Sequence, residues 1–277
     1  MTTLHDLGAP ENLPNGKVSL RRGGGLALLT LTNPPANGYS YEMMRDLDEA
    51  VLTVRMDRTV EVIVVAGAGE KFFCAGADIG MLDRVEPNFK YAFCLHANET
   101  LLRLENTPKL VVAALGGHCV GGGLEIALAC DMRFARAGSG KCGLPEVALG
   151  VLPGTGGTQR LARVLGKSRS IGMMASGELV DFARAHELGL VDEVFEAASD
   201  EAFLELVFAR VSKFLRPGHS STAVGLIKRA VQTGAELPLE AGLALERELQ
   251  MRLFTSEDAK EGIAAFTQKR KAHFEGR

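Results

Sequence analysis

The sequence predicts an α/β fold in which parallel strands alternate with helical crossovers. Three observations point there. Residues 60–66 (VEVIVVA) and 110–115 (LVVAAL) are short, almost unbroken aliphatic runs, the pattern of strands covered on both faces. A glycine-broken loop follows each run. Strand and helix signals then alternate along the first half of the chain, which favours parallel pairing with right-handed connections.

The elements follow in order. The first two dozen residues are rich in Gly, Pro and Asn and end in Gly23-Gly24-Gly25; they predict a leader with an irregular edge strand. Residues 26–31 form an apolar strand, stopped by Asn33-Pro34-Pro35 because proline removes a ladder donor. Asn37-Gly38 makes a turn, and Ser40 caps a helix over 41–55, where Met44, Leu47, Val51 and Val54 recur at steps of three and four. The strand at 60–66 leads through Gly67-Ala68-Gly69 into the loop KFFCAGADIG. A second amphipathic helix covers 89–105 and closes at Thr107-Pro108. The strand at 110–115 feeds the triple glycine Gly121-Gly122-Gly123, which opens an apolar helix, and a further strand covers 132–137. Beyond Arg160, helices are expected at 161–165, 181–188, 201–214, 222–232 and 239–254, with one strand at 191–195 and a last helix beginning at Ser256. The expected division is a core over 1–210 and a helical C-terminal region over 211–277.

Composition excludes several functions. The 277 residues are 46% hydrophobic and 23% charged, ordinary for a soluble globular enzyme. A net charge of -3, no Trp and no basic stripe argue against nucleic acid as a partner. No run of 18 apolar residues predicts a membrane span, and the N-terminus lacks the order of a signal peptide. Five cysteines (Cys74, Cys94, Cys119, Cys130, Cys142) form no CxxC pair, so buried free thiols in a reducing cytoplasm are expected. The six histidines show no HxxxH or HExxH spacing, and no metal is expected.

The chemistry concentrates between Leu115 and Arg160. A glycine at a strand-to-helix junction leaves its N–H uncovered, and the first-turn amides of a helix lack internal partners. Gly122 therefore offers a donor strengthened by the helix dipole. Ala77, in Cys74-Ala75-Gly76-Ala77-Asp78, offers a second from the other glycine loop. Two such donors aimed at one oxygen would stabilise an enolate. Glu125 lies in the first turns of the apolar helix, where an ionised carboxylate needs partners. Glu146 follows Pro145 at the start of another short helical run. One strand and a return loop separate the two acids, a spacing that can bring both to one mouth.

Other motifs fail on inspection. Gly166-Lys167-Ser168 ends like a phosphate loop, but Leu161 stands where its first glycine is required. The run 154–159 (GTGGTQ) lacks the last glycine of a dinucleotide fingerprint and follows no aliphatic strand. No Ser or Cys sits in a GxSxG elbow.

The segments GGHCVGGGLEIALACD, GLPEVALGVLPGTGGTQRL, KFFCAGADI and EGIAAFTQKRKAHF resemble the enoyl-CoA hydratase/isomerase (crotonase) family, over roughly residues 26–274. The resemblance implies a crotonase-like spiral of ββα turns with a helical C-terminal trimerisation region, assembled as a homotrimer or homohexamer. It implies an acyl-CoA thioester substrate, with no cofactor beyond the coenzyme A that the substrate carries. It implies that the Ala77 and Gly122 amides form an oxyanion hole. Glu146 would then give the proton to Cα, while Glu125 helps hold and activate the water added at Cβ. Ala75, Asp78 and Ile79 would contact the CoA nucleotide, and Phe266 and Lys269 would reach CoA from the C-terminal end, often that of a neighbouring chain. Gly80 departs from the pattern, since many members carry Lys there, and a phosphate contact at that position is not expected. The implied reaction is reversible syn hydration of a trans-2-enoyl-CoA. A double-bond isomerase, or a dehydratase for a branched or carboxylated acyl-CoA, would keep the same fold and oxyanion hole. Isomerases of the family commonly manage with one carboxylate at the place of Glu146, so the presence of both acids favours hydration.

Overall fold

The computed structural model describes residues 2–82 and 84–277, with the side chains of Ile79 and Leu82 outside the described set. After a 3-10 turn at Leu4–Asp6 come β1 (Glu11–Asn12), β2 (Val18–Gly23) and β3 (Leu26–Leu31). Here the structure corrects the expected leader. β2 is a regular strand that pairs with β3 along its whole length, turned by Gly24-Gly25. Helix α1 (Tyr41–Met56) begins at Ser40, whose hydroxyl accepts the Met43 N–H. β4 (Val62–Gly67), β5 (Phe72–Cys74), the single turn α2 (Ile79–Leu82) and α3 (Pro87–Glu105) follow, then β6 (Leu110–Leu115), β7 (His118–Val120) and α4 (Gly122–Leu128). Next are β8 (Met132–Arg136), β9 (Lys141–Gly143), a 3-10 turn at Glu146–Leu149, α5 (Gly157–Leu165) and α6 (Lys167–Ser176). The chain closes with β10 (Val180–Asp181), α7 (Phe182–Glu187), β11 (Glu193–Phe195), α8 (Asp200–Val211), α9 (Ser221–Gly234), α10 (Leu239–Phe254) and α11 (Glu257–Thr267).

Two sheets organise these elements. The larger runs β1-β2-β3-β4-β6-β8-β11 and is parallel from β3 onward. The smaller runs β10-β9-β7-β5, and its β5, β7 and β9 are parallel to one another. The glycine loops were expected to leave the long aliphatic strands directly. They leave the short second strands β5 and β7 instead, so the turns that start at β4, β6 and β8 read long strand, short strand, helix. All six residues of β4 are buried. Ile63 and Val65 face a core shared with α1, α3 and α4, while Val62, Val64 and Ala66 face a second core under α8. This two-sided burial explains why β4 shows no polar alternation.

Cys74, Cys119 and Cys142 stand in register across β5, β7 and β9. All five cysteines are free thiols; four are buried, and Cys94 is half-buried. Burial pushes the Cys74 and Cys130 thiols up to about 12, so they pack as small apolar groups.

From residue 211 onward the described residues carry helices and no strand. Helix α9 is tied to the core by Lys228, whose buried ammonium meets Asp131 at 2.8 Å and the Lys109 carbonyl at 3.0 Å. Among the described residues no helix is long and apolar enough to cross a membrane.

Candidate active site

The two glycine loops meet. Gly76 packs against the start of the second loop: a Cβ placed on it would lie 3.1 Å from the Val120 carbonyl and 3.4 Å from the Gly122 nitrogen. The first loop is held by the strand-like segment at Tyr39, which donates its N–H to Gly76 (2.8 Å) and accepts the Asp78 N–H (3.1 Å). That bridge leaves the Ala77 N–H, between the two bonds, without an acceptor among the described residues. In the second loop Gly121 has φ +57°, a conformation that suits glycine, and donates to the Gly143 carbonyl at 2.9 Å. Gly122 then begins α4, and its N–H also lacks an acceptor among the described residues, as the first amide of a helix does. Gly122 has no room for a side chain, because a Cβ there would land in the ring of Tyr39.

Glu125 is 1% exposed and has no cationic partner among the described residues. Three donors hold it instead. Its Oε1 accepts the N–H groups of Thr155 (2.8 Å) and Gly157 (2.7 Å), and its Oε2 accepts the Thr155 hydroxyl. A carboxylate offers about four lone-pair sites, so roughly one remains for a water or a substrate. The 154–159 run, incomplete as a dinucleotide fingerprint, is thus the seat of this buried acid. Thr155 is a residue that sequence reasoning missed, and its signal was a hydroxyl set inside a glycine loop next to a helix start.

Glu146 opens the 3-10 turn after Pro145. Its Oε2 is buried with no hydrogen-bond partner among the described residues, and its Oε1 lies over the second glycine loop, 2.8 Å from where a Gly121 Cβ would stand. Burial pushes this carboxyl up to about 7, opposed by a hydrogen bond to its own backbone and reinforced by the negative charge of Glu125. The two acids therefore differ in setting: one is seated by three donors, the other has an unsatisfied oxygen beside the free amides. Pairs of carboxyls in contrasting environments divide acid and base roles in the same way.

The other residues singled out in the sequence fall into three groups. Ala75 and Asp78 flank the first loop; Ala75 donates to the Ala36 carbonyl (3.0 Å), and Asp78 Oδ1 accepts the Met81 N–H (3.0 Å). The side chain of Ile79 lies outside the described residues. Phe266 and Lys269 stand at the end of α11, with Phe266 88% exposed, and no hydrogen bond joins either to the loops among the described residues. Beside the first loop is a cavity of about 400 Å³, lined by Lys17, Ser40, Asp78, Met81 and Arg84 among others. Arg84 donates its Nε–H to the Gly80 carbonyl at 2.7 Å, so a guanidinium stands where the Gly80 position lacks a lysine.

Comparison with known proteins supplies the deciding observation. A family model described as enoyl-CoA hydratase/isomerase matches residues 21–277. The chain belongs to the enoyl-CoA hydratase/isomerase family. A probable enoyl-CoA hydratase of Rhizobium meliloti is 39% identical over 257 residues, covering 92% of this chain and 96% of that protein. The 2,3-dehydroadipyl-CoA hydratase of Escherichia coli is 38% identical over 90% of this chain and 95% of its own. Among solved structures, an enoyl-CoA hydratase of Geobacillus kaustophilus superposes with a TM-score of 0.89 at 42% identity, covering 94% of this chain and 97% of that one. The ββα spiral expected from the resemblance is the fold of this family, and the long-strand, short-strand, helix turns described above are its units.

Proposed function

We propose that this protein is an enoyl-CoA hydratase, a hydro-lyase that adds water reversibly across the 2,3 double bond of a trans-2-enoyl-CoA. The observation that carries the reading is the pair of unlike carboxyls, Glu125 and Glu146, beside two uncommitted amides. In this reading the Ala77 and Gly122 N–H groups receive the thioester oxygen, whose negative charge grows as the enolate forms. A water accepted into the spare site on Glu125 adds its oxygen to Cβ and gives one proton to that carboxylate. Protonated Glu146 delivers its proton to Cα. Passing the proton from Glu125 to Glu146 resets the pair, so one water is consumed and the enzyme ends as it began. The step needs no metal or redox cofactor. Lys17 and Arg84, at the cavity beside Asp78, are suited to the phosphates of the CoA nucleotide. Exposed apolar residues on the C-terminal helices, among them Ile227, Val231, Leu239, Met251, Phe254 and Phe266, support a homotrimer or a dimer of trimers. The free cysteines suit a reducing cytoplasm.

Incubation with crotonyl-CoA in ¹⁸O-water tests the reaction. A 3-hydroxyacyl product carrying the heavy oxygen is expected; an unhydrated 3-enoyl isomer would overturn the hydratase assignment.

The pH dependence follows from Glu146. The competent state of the pair holds a single proton. As pH rises through about 7 that proton is lost, so kcat/KM should fall on an alkaline limb with its midpoint near 7. The hydration equilibrium involves no net proton, so hydration and dehydration must share this limb. A pH profile measured in both directions checks it, and an activity flat from pH 6 to 9 would contradict the role of Glu146.

A further inference from the structure

Tyr39 reaches both glycine loops and the seat of Glu125, through its backbone, its ring and its hydroxyl. Its backbone makes the bridge that leaves the Ala77 N–H uncommitted. Its ring, 4% exposed and 5.6 Å from the ring of Phe93, packs on the Cα of Gly122 and fills the space a side chain would take there. Its hydroxyl lies 3.5 Å from Thr155 Oγ1. The single hydroxyl proton of Thr155 goes to Glu125 Oε2, so Thr155 Oγ1 is left to accept, and the Tyr39 O–H is the donor. Burial, reinforced by the charge of Glu125, holds the phenol in its neutral, proton-bearing form.

We infer that Tyr39 is a positioning residue for the hydration reaction: its backbone holds the Ala77 loop, its ring packs on Gly122, and its hydroxyl steadies Glu125 through Thr155. The inference rests on the hydratase reading. Tyr39 belongs to this machinery because hydrogen bonds in series polarise one another, so the outer donor strengthens the inner contact to the carboxylate. It acts through Thr155 and the two amides, and no contact of its own with the reacting atoms is invoked.

The test compares wild type, Tyr39→Phe, Thr155→Val, Thr155→Ser and the Tyr39→Phe/Thr155→Val double variant. Tyr39→Phe keeps the ring on Gly122 and removes one oxygen. A fall in kcat of about tenfold with KM unchanged is expected, the scale of one hydrogen bond in a chain ending on a charge. Thr155→Val should lose more, and Thr155→Ser should recover most of the activity. The double variant should be no slower than Thr155→Val, because once the middle hydroxyl is gone the phenol has nothing to act through. Tyr39→Phe with wild-type kcat, or a double variant whose loss is the product of the two single losses, overturns the inference. An inactive wild type would sink the hydratase reading separately. The pair can then still be judged from melting temperatures: non-additive shifts in the same four-protein cycle support the coupling, and additive shifts reject it.

Discussion

Replacing Glu146 with glutamine should lower kcat for hydration by roughly 10²–10⁴-fold, the range over which a positioned general acid typically contributes. The same change should stabilise the protein at pH 8. Both effects have one origin. Glu146 Oε2 is buried with no partner among the described residues, and desolvation lifts the carboxyl from its ordinary 4.5 to about 7. A group raised in the folded state contributes stability that is fully present below its unfolded value and is lost as pH rises through the folded one. At pH 8 the folded protein therefore carries an ill-solvated carboxylate that glutamine relieves, whereas at pH 5 the carboxyl is already protonated in the fold and the gain shrinks. Melting curves of wild type and Glu146→Gln at the two pH values check the sign. Equal shifts at both would mean that Glu146 is a solvated surface acid, and its catalytic assignment would fall with its burial.

Gly122→Ala should cost roughly 10²–10³ in kcat, as removal of one oxyanion donor typically does. The added methyl cannot enter without displacing either the start of α4 or the ring of Tyr39. Movement of α4 misaims the Gly122 amide. Movement of Tyr39 disturbs the bridge that leaves Ala77 free, so the second donor suffers as well. Gly172→Ala in α6 is the control, since a Cβ there meets open space and replaces glycine inside a helix. The control should keep wild-type kcat and fold at least as well. Steady-state kinetics on both variants decide the matter, and a Gly122→Ala enzyme with wild-type kcat would show that this amide does not receive the substrate oxygen.

Much of this site is legible in the sequence because it depends on residue types that have few substitutes. A carboxylate in an otherwise apolar helix, as in LEIALAC, has to be held by something. A triple glycine before a helix signals close backbone approach, here by Tyr39 on Gly122. The long elements were equally readable: β3, β6 and α10 fall at their expected limits, and Ser40 and Ser256 cap the helices they were assigned. The short strands β5, β7, β9 and β10 were not foreseen. Two or three residues, such as Phe72–Cys74 or Lys141–Gly143, are too few to show a period, and their pairing is set by partners far along the chain. Helix α6 was missed because its buried face carries Ser170 beside Met173, leaving no apolar stripe to mark its period. The roles of Tyr39 and Thr155 were hidden for another reason. Each sits in a turn-forming sequence, Asn37-Gly38 for one and the Gly154–Gly157 run for the other, and only the folded chain brings the Tyr39 hydroxyl to Thr155 and the Thr155 hydroxyl to Glu125.

The most direct measurement of the central claim is the hydration rate of a 2-enoyl-CoA by Glu125→Gln, followed as loss of the conjugated thioester absorbance. Glutamine keeps the size of the side chain and still accepts the Thr155 and Gly157 amides through its carbonyl oxygen, but it cannot take a proton from water. If two carboxyls share the chemistry, kcat should fall at least about 100-fold while KM stays near the wild-type value. A Glu125→Gln enzyme that hydrates its substrate as fast as wild type would show that Glu146 works alone and that the paired-carboxyl account is wrong.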